Sequence, residues 1–157
     1  MPLTLTRDDL IRSRNFIGSG WNNAAGGRIF DVRNPADGSR IAWVADSGAI
    51  DAADAVDAAH IAFPVWKATP ARERAQALKR WHALILAHKE DLGRLISLEQ
   101  GKPLAEGRGE VLYAASYVEW FAEEATRTYG DVIPEPVRGP RLRVVRSVIA
   151  SDNSEPD

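Results

Sequence analysis

The apolar residues change period at Asp46-Ser47-Gly48, and that break divides the chain into a hairpin part and a helical part. Before it, Asn15-Phe16-Ile17-Gly18-Ser19-Gly20-Trp21 reads as a strand, a glycine turn and a second strand, since glycine takes positive φ without steric cost. Arg28 to Arg33 is another strand candidate. Asn34-Pro35-Ala36-Asp37-Gly38 is a turn signal, with Pro presetting φ and Asp-Gly closing the bend. Ile41, Trp43 and Val44 form the return strand. The expected product is a small antiparallel hairpin layer.

After the break, Ala52, Val56, Ala59 and Phe63 fall at i, i+4, i+7 and i+11, one face of a helix. Pro64 is expected to end it. Thr69 as N-cap and Pro70 as first helical residue open a second helix. Its stripe is Ala71, Ala75, Leu78, Trp81 or His82, and Ile85. Leu92, Leu95 and Ile96 mark a shorter helix that Gly101 stops, and Pro103 starts the next. That longest helix runs from about Pro103 to Tyr129, with Val111, Ala115, Val118, Ala122 and Ala125 as its apolar stripe. Gly130 fits the residue just past its end. Val132-Ile133-Pro134 and Arg141 to Val145 look extended. Ser151 to Asp157 is polar, acidic and aperiodic, the pattern of a disordered tail.

At 157 residues, 45% apolar and 27% charged, the chain suits one soluble domain. A net charge of −2 with both signs interspersed gives no reason to expect a nucleic-acid partner. No run approaches the roughly 18 apolar residues that span a bilayer, and residues 1–14 show no secretory h-region. A soluble cytoplasmic protein is therefore expected, without membrane association. The chain has no cysteine, which excludes disulfides, thiolate metal sites and thiol nucleophiles. His60, His82 and His88 have no metal-ligand spacing. Gly18-x-Gly20 and Gly26-Gly27 lack the strand-then-helix setting of a phosphate loop. Glu119, Glu123 and Glu124, like Arg72 and Arg74, fit solvated helix faces.

Glu99-Gln100-Gly101-Lys102-Pro103-Leu104-Ala105-Glu106 closely resembles the segment joining two helices near the N-terminus of aldehyde dehydrogenases. Other blocks resemble that family in order. They are Phe16-Ile17 with Trp21, Asp31 to Gly38, Ala59 with Ala62-Phe63-Pro64 and Trp66, and Glu73-Arg74-Ala75. Gly109-Glu110-Val111, Tyr113-Ala114-Ala115, Glu119 to Glu124 and Tyr129 to Pro134 resemble the succinate-semialdehyde dehydrogenase branch most closely. The resemblance runs from about Asn15 to Arg146, which in the family is the first third or less. After Arg146 the pattern departs, and Ser147 to Asp157 does not continue toward the family's catalytic motifs.

The resemblance implies an α/β fold. This chain would supply its N-terminal hairpins and about four helices, mostly helical, without the parallel Rossmann-type sheet. Residues 1–14 would be an extension, 15–135 the N-terminal part of the NAD(P)-binding domain, 136–150 the start of an oligomerisation arm, and 151–157 a divergent tail. The parent reaction would be NAD- or NADP-dependent oxidation of succinate semialdehyde, or a similar aldehyde, to the carboxylate. In the family a cysteine thiolate attacks the aldehyde and a hydride passes to NAD(P). No residue here is assigned a catalytic or cofactor-binding role, so the chain alone is expected to be inactive and to bind no cofactor. A premature stop or frameshift is the expectation for the tail, against a deliberate regulatory tail as the functional alternative. The family implies a homo-oligomer, dimer or tetramer. The alternative is a non-catalytic protein docking on a full-length aldehyde dehydrogenase through apolar faces that lack their sheet.

Two candidate sites follow. Tyr113, Tyr117 and Trp120 lie at i, i+4 and i+7, a spacing that by itself favours core packing. By resemblance their helix borders the substrate channel, which would make them part of its wall. Glu99 is, by resemblance, a carboxylate near a structural alkali cation, with carbonyls of the Asn34-Pro35 turn. A solvated carboxylate is the simpler reading. Lys102 reads as a surface residue or carboxylate partner rather than a catalytic amine.

Overall fold

The computed structural model describes residues 5–133 and 142–146. Its hairpin part holds β1 (Asn15–Ile17) with β2 (Gly20–Asn22) and β3 (Ile29–Arg33) with β4 (Arg40–Ala45), each pair antiparallel. Four helices follow: α1 (Ala49–Ala68), α2 (Ala71–Ala87), α3 (Lys89–Gln100) and α4 (Leu104–Glu124). A third antiparallel pair, β5 (Asp131–Ile133) with β6 (Leu142–Val144), closes the order. Among the described residues the strands form only these three ribbons, and no parallel sheet is present. The expected disordered tail, and most of the expected arm at 136–150, lie outside the described residues.

The turns form where the sequence places them. Gly18 (φ 58°) and Ser19 (φ 71°) turn the first hairpin. In the second, the Asn34 side chain accepts from Ala36 N–H at 2.9 Å, and Gly38 N–H donates back to the Asn34 carbonyl at 2.8 Å.

α4 is the hub, with α2 and α3 both packed against it. The contact surface is made of small residues: Ala75 on α2, Gly93 and Ser97 on α3, and Gly107, Val111, Ala115 and Ala122 on α4 are all buried. Glycines set how near α3 and α4 approach. A Cβ on Gly93 would lie 3.1 Å from the Arg108 backbone nitrogen. One on Gly107 would overlap the Gly93 carbonyl and come within 2.7 Å of Ser97 Oγ. At Gly107 only hydrogen fits, and at Gly93 a Cβ would push Arg108 aside by a few tenths of an ångström.

α3 ends as expected at Gly101 (φ 68°), whose N–H donates to the Ser97 carbonyl at 2.9 Å. A Cβ there would sit 2.9 Å from Pro35 Cγ, so the helix stop also seats the Asn34–Gly38 turn. A buried carboxylate ties the two parts together elsewhere. Asp51 Oδ1 accepts from Ala25 N–H at 2.7 Å and Oδ2 from Gly48 N–H at 2.9 Å. Those two amides hold its carboxyl below the usual range.

Several expectations need correction. Pro64 does not end α1, which continues to Ala68. A proline removes one intrahelical donor, and the following turn survives through Thr69 N–H to the Val65 carbonyl at 3.1 Å. Thr69 therefore closes α1 rather than capping α2. Pro70 precedes the helix and its carbonyl accepts from Arg74 N–H at 3.1 Å. On α2 it is His82, not the exposed Trp81, that turns toward the packed side. α4 is shorter than expected and passes into a 3-10 turn at Ala125–Arg127. Gly130 is no helix cap: a Cβ there would overlap the Val144 carbonyl of β6. Of the α1 stripe, Ala52, Val56 and Ala59 are exposed and only Phe63 is partly covered.

Gly107→Ala should destabilise the chain by about 1–3 kcal/mol through overpacking. Gly109→Ala, with nothing within 4 Å of its Cβ, should instead stabilise it by about 0.5–1 kcal/mol. Urea midpoints of both variants measure the contrast, and equal shifts would remove the crossing argument.

Candidate functional site

The face of α4 opposite its buried stripe is aromatic. Tyr113, Ser116, Tyr117, Trp120 and Phe121 line an open groove of about 390 Å³. The four aromatic side chains are exposed, Tyr113 and Trp120 by more than 60%. The stripe is therefore not core packing within this chain, although its spacing alone favours that reading. Val111, Ala115 and Ala122 already fill the packed side.

The two tyrosines are organised. Their hydroxyls are 2.6 Å apart and their rings meet edge to face, with centroids at 5.0 Å and an 87° angle. Ser116 Oγ donates to the Tyr113 carbonyl at 2.7 Å, which turns it back onto the helix. The hydrogen bond to Tyr113, followed by partial desolvation, raises the Tyr117 phenol above its ordinary value. Neutral hydroxyls beside apolar rings can bind and orient an organic molecule. The lining offers no carboxylate, imidazole or ammonium for proton transfer.

Glu99 is exposed on the last turn of α3, two residues before the Gly101 contact with Pro35. Lys102 pairs with Glu110, the second of the two settings expected for it. Among the described residues no three His, Asp or Glu side chains gather to hold a metal ion. No described helix is long and apolar enough to cross a membrane.

Among the described residues the glycine pairs do not form a phosphate loop. Gly18 and Gly20 belong to an antiparallel hairpin, and Gly27 follows in a turn closed by its N–H to the Ala24 carbonyl at 2.8 Å. Neither glycine pair leads from a parallel strand into a helix N-terminus, the arrangement that cradles a pyrophosphate.

Set beside known proteins, residues 21–149 match the aldehyde dehydrogenase family. The chain is 46% identical over 147 residues to succinate-semialdehyde dehydrogenase (NADP(+)) of Escherichia coli, covering 94% of this chain and 30% of that protein. It is 48% identical over 147 residues to 3-sulfolactaldehyde dehydrogenase of Pseudomonas putida, again covering 94% and 30%. In structure it superposes on an NADP-dependent enzyme of E. coli with a TM-score of 0.86 at 46% identity, covering 90% of this chain and 30% of the other. The chain belongs to the aldehyde dehydrogenase family. It spans about 30% of the length of the relatives it matches.

The pattern of large apolar residues missed three positions that matter. Gly93 and Gly107 carry no hydrophobic signal, yet they set the α3–α4 distance. Asp91, buried at the start of α3, looks like an ordinary first-turn acid. Two spacings of four residues, Gly93 with Ser97 and Val111 with Ala115, were the available clue to close helix packing.

Tyr113→Phe should let Tyr117 ionise at lower pH, because its hydroxyl partner is gone. Tyrosinate absorbance through an alkaline titration measures this; an unchanged titration would show that the pair does not form.

Proposed function

We propose that this chain is the N-terminal portion of an NAD(P)-dependent aldehyde dehydrogenase subunit that oxidises a small aldehyde to its acid. The observation that carries the reading is the E. coli match, 46% identical across 94% of this chain. The names of the two relatives narrow the substrate class. Succinate semialdehyde ends in a carboxylate and 3-sulfolactaldehyde in a sulfonate, so an aldehyde with an anionic far end is the proposed substrate.

These residues supply scaffold rather than chemistry. With no cysteine there is no thiolate to attack the carbonyl. The nucleophile, the base and the dinucleotide cradle belong to sequence that this chain does not contain. Tyr113, Tyr117 and Trp120 are the proposed contribution to the substrate channel, and Glu99, with carbonyls of the Asn34–Gly38 turn, to an alkali-cation site. The β5–β6 ribbon is the proposed root of an oligomerisation arm.

The purified chain, given succinate semialdehyde and NAD or NADP, should reduce no nicotinamide. Grafted in place of the equivalent stretch of the E. coli enzyme, it should support turnover. A chimera that folds but oxidises no semialdehyde would overturn the reading. In an active chimera, Tyr113→Ala or Tyr117→Ala should raise KM; an unchanged KM would remove the channel role.

A second reading is favoured by the exposed apolar side chains, among them Val56, Ile61 and Val65 on α1. The chain would then be a non-catalytic partner that docks on a full-length aldehyde dehydrogenase subunit. Copurification with such a subunit would support it.

A further inference from the structure

The segment from Thr6 to Arg12 is not a loose extension, because it is tied to both parts of the molecule. Asp91, 4% exposed, is its anchor on α3. Asp91 Oδ1 accepts from the Thr6 N–H and the Thr6 hydroxyl, each at 3.0 Å, and from Arg94 Nη1 at 2.7 Å. Oδ2 accepts from Arg7 N–H at 3.1 Å. The Arg7 side chain then spreads over two partners. Its Nε donates to Asp9 Oδ1 at 2.9 Å and its Nη1 to His88 Nε2 at 2.9 Å. A guanidinium only donates, so His88 must offer a lone pair at Nε2 and carry its proton on Nδ1. At the other end Arg12 lies 5.0 Å from the centre of the Trp21 ring, on the β1–β2 hairpin.

We propose that Asp91 is a proton-operated latch for this strap, with the Arg7–His88 contact helping to seat it. A proton on Asp91 removes an acceptor from the Thr6 and Arg7 amides. That event lifts residues 6–12 from the start of α3 while α2, α3 and α4 stay packed.

The surrounding charges fit this division. Arg94 on α3 and Arg7 on the strap face Asp91, and Asp9 neutralises Arg7 from the strap side. Glu90, next to Asp91, is engaged by Arg108 of α4 at 2.6 Å and so does not compete for the strap. The Thr6 amide is the leading cause that holds the Asp91 carboxyl below its usual range, with Arg94 adding to it against the cost of burial. The folded value is depressed, so the contribution of Asp91 is complete above the ordinary carboxylate pKa of about 4. It is lost as pH falls through the lowered folded value.

Amide hydrogen exchange of the 157-residue chain tests the latch. Asp91→Asn keeps the side-chain volume and replaces the carboxylate by one carbonyl acceptor. The Thr6 and Arg7 amides should then exchange about tenfold faster, while amides of α3 and α4 around Ser97 and Val111 keep their protection. His88→Lys, which fixes a cation beside Arg7, should accelerate Arg7 in the same direction. Unchanged strap exchange in both variants would overturn the proposal. So would an equal loss of protection across α3 and α4, since Asp91 would then be holding the helices rather than the strap.

Discussion

The close approach of α3 and α4 at Gly93, Ser97 and Gly107 is the constraint on which the rest of the structure depends. Two backbones meet where side chains would ordinarily stand, and α4 is thereby aimed so that Val111, Ala115 and Ala122 continue the same contact. The crossing has a cost. Among the described residues the buried Ser97 Oγ has no hydrogen-bond partner, and a buried polar group left so costs about 1–3 kcal/mol. Around its rim the Arg108–Glu90 pair is partly exposed, and pairs of that kind contribute about 0–1 kcal/mol. Packing of small groups, not ionic attraction, keeps the helices together.

Fixing α4 also decides what its other face can do. With one side occupied by α2 and α3, the aromatic residues at Tyr113, Tyr117, Trp120 and Phe121 are turned outward and can only meet something not included in this structure. The hydroxyl pair gives that face a polar edge in an apolar setting. The same logic applies to α1. It is tied to the hairpin part through Asp51, which accepts from Ala25 N–H, and most of its apolar residues face outward.

Much of this was legible in the amino-acid order. The hairpin turns, the stop at Gly101 and the buried stripe of α4 rest on local rules, namely positive φ at glycine and a period near 3.6. Trp81 against His82 was open because both border the same stripe, and only the folded chain shows His82 half-buried and Trp81 exposed. The end of α1 was misplaced because a proline removes one donor without forbidding the turn after it. The aromatic stripe defeats pattern reading for another reason: periodicity shows which residues share a face, but not whether a partner is there to cover it. Asp91 and the two glycines were invisible because their meaning lies in residues far along the chain.

The ties also differ in how much chain each must enclose. α2, α3 and α4 succeed one another along residues 71–124, so their contacts close short loops. The Thr6–Asp91 bond spans 85 positions. Loop-closure entropy rises with that span and long-range contacts are the slower to form. As the chain leaves the ribosome N-terminus first, its earliest residues must wait for α3 before they have anything to hold. The strap is made well before the helix that holds it.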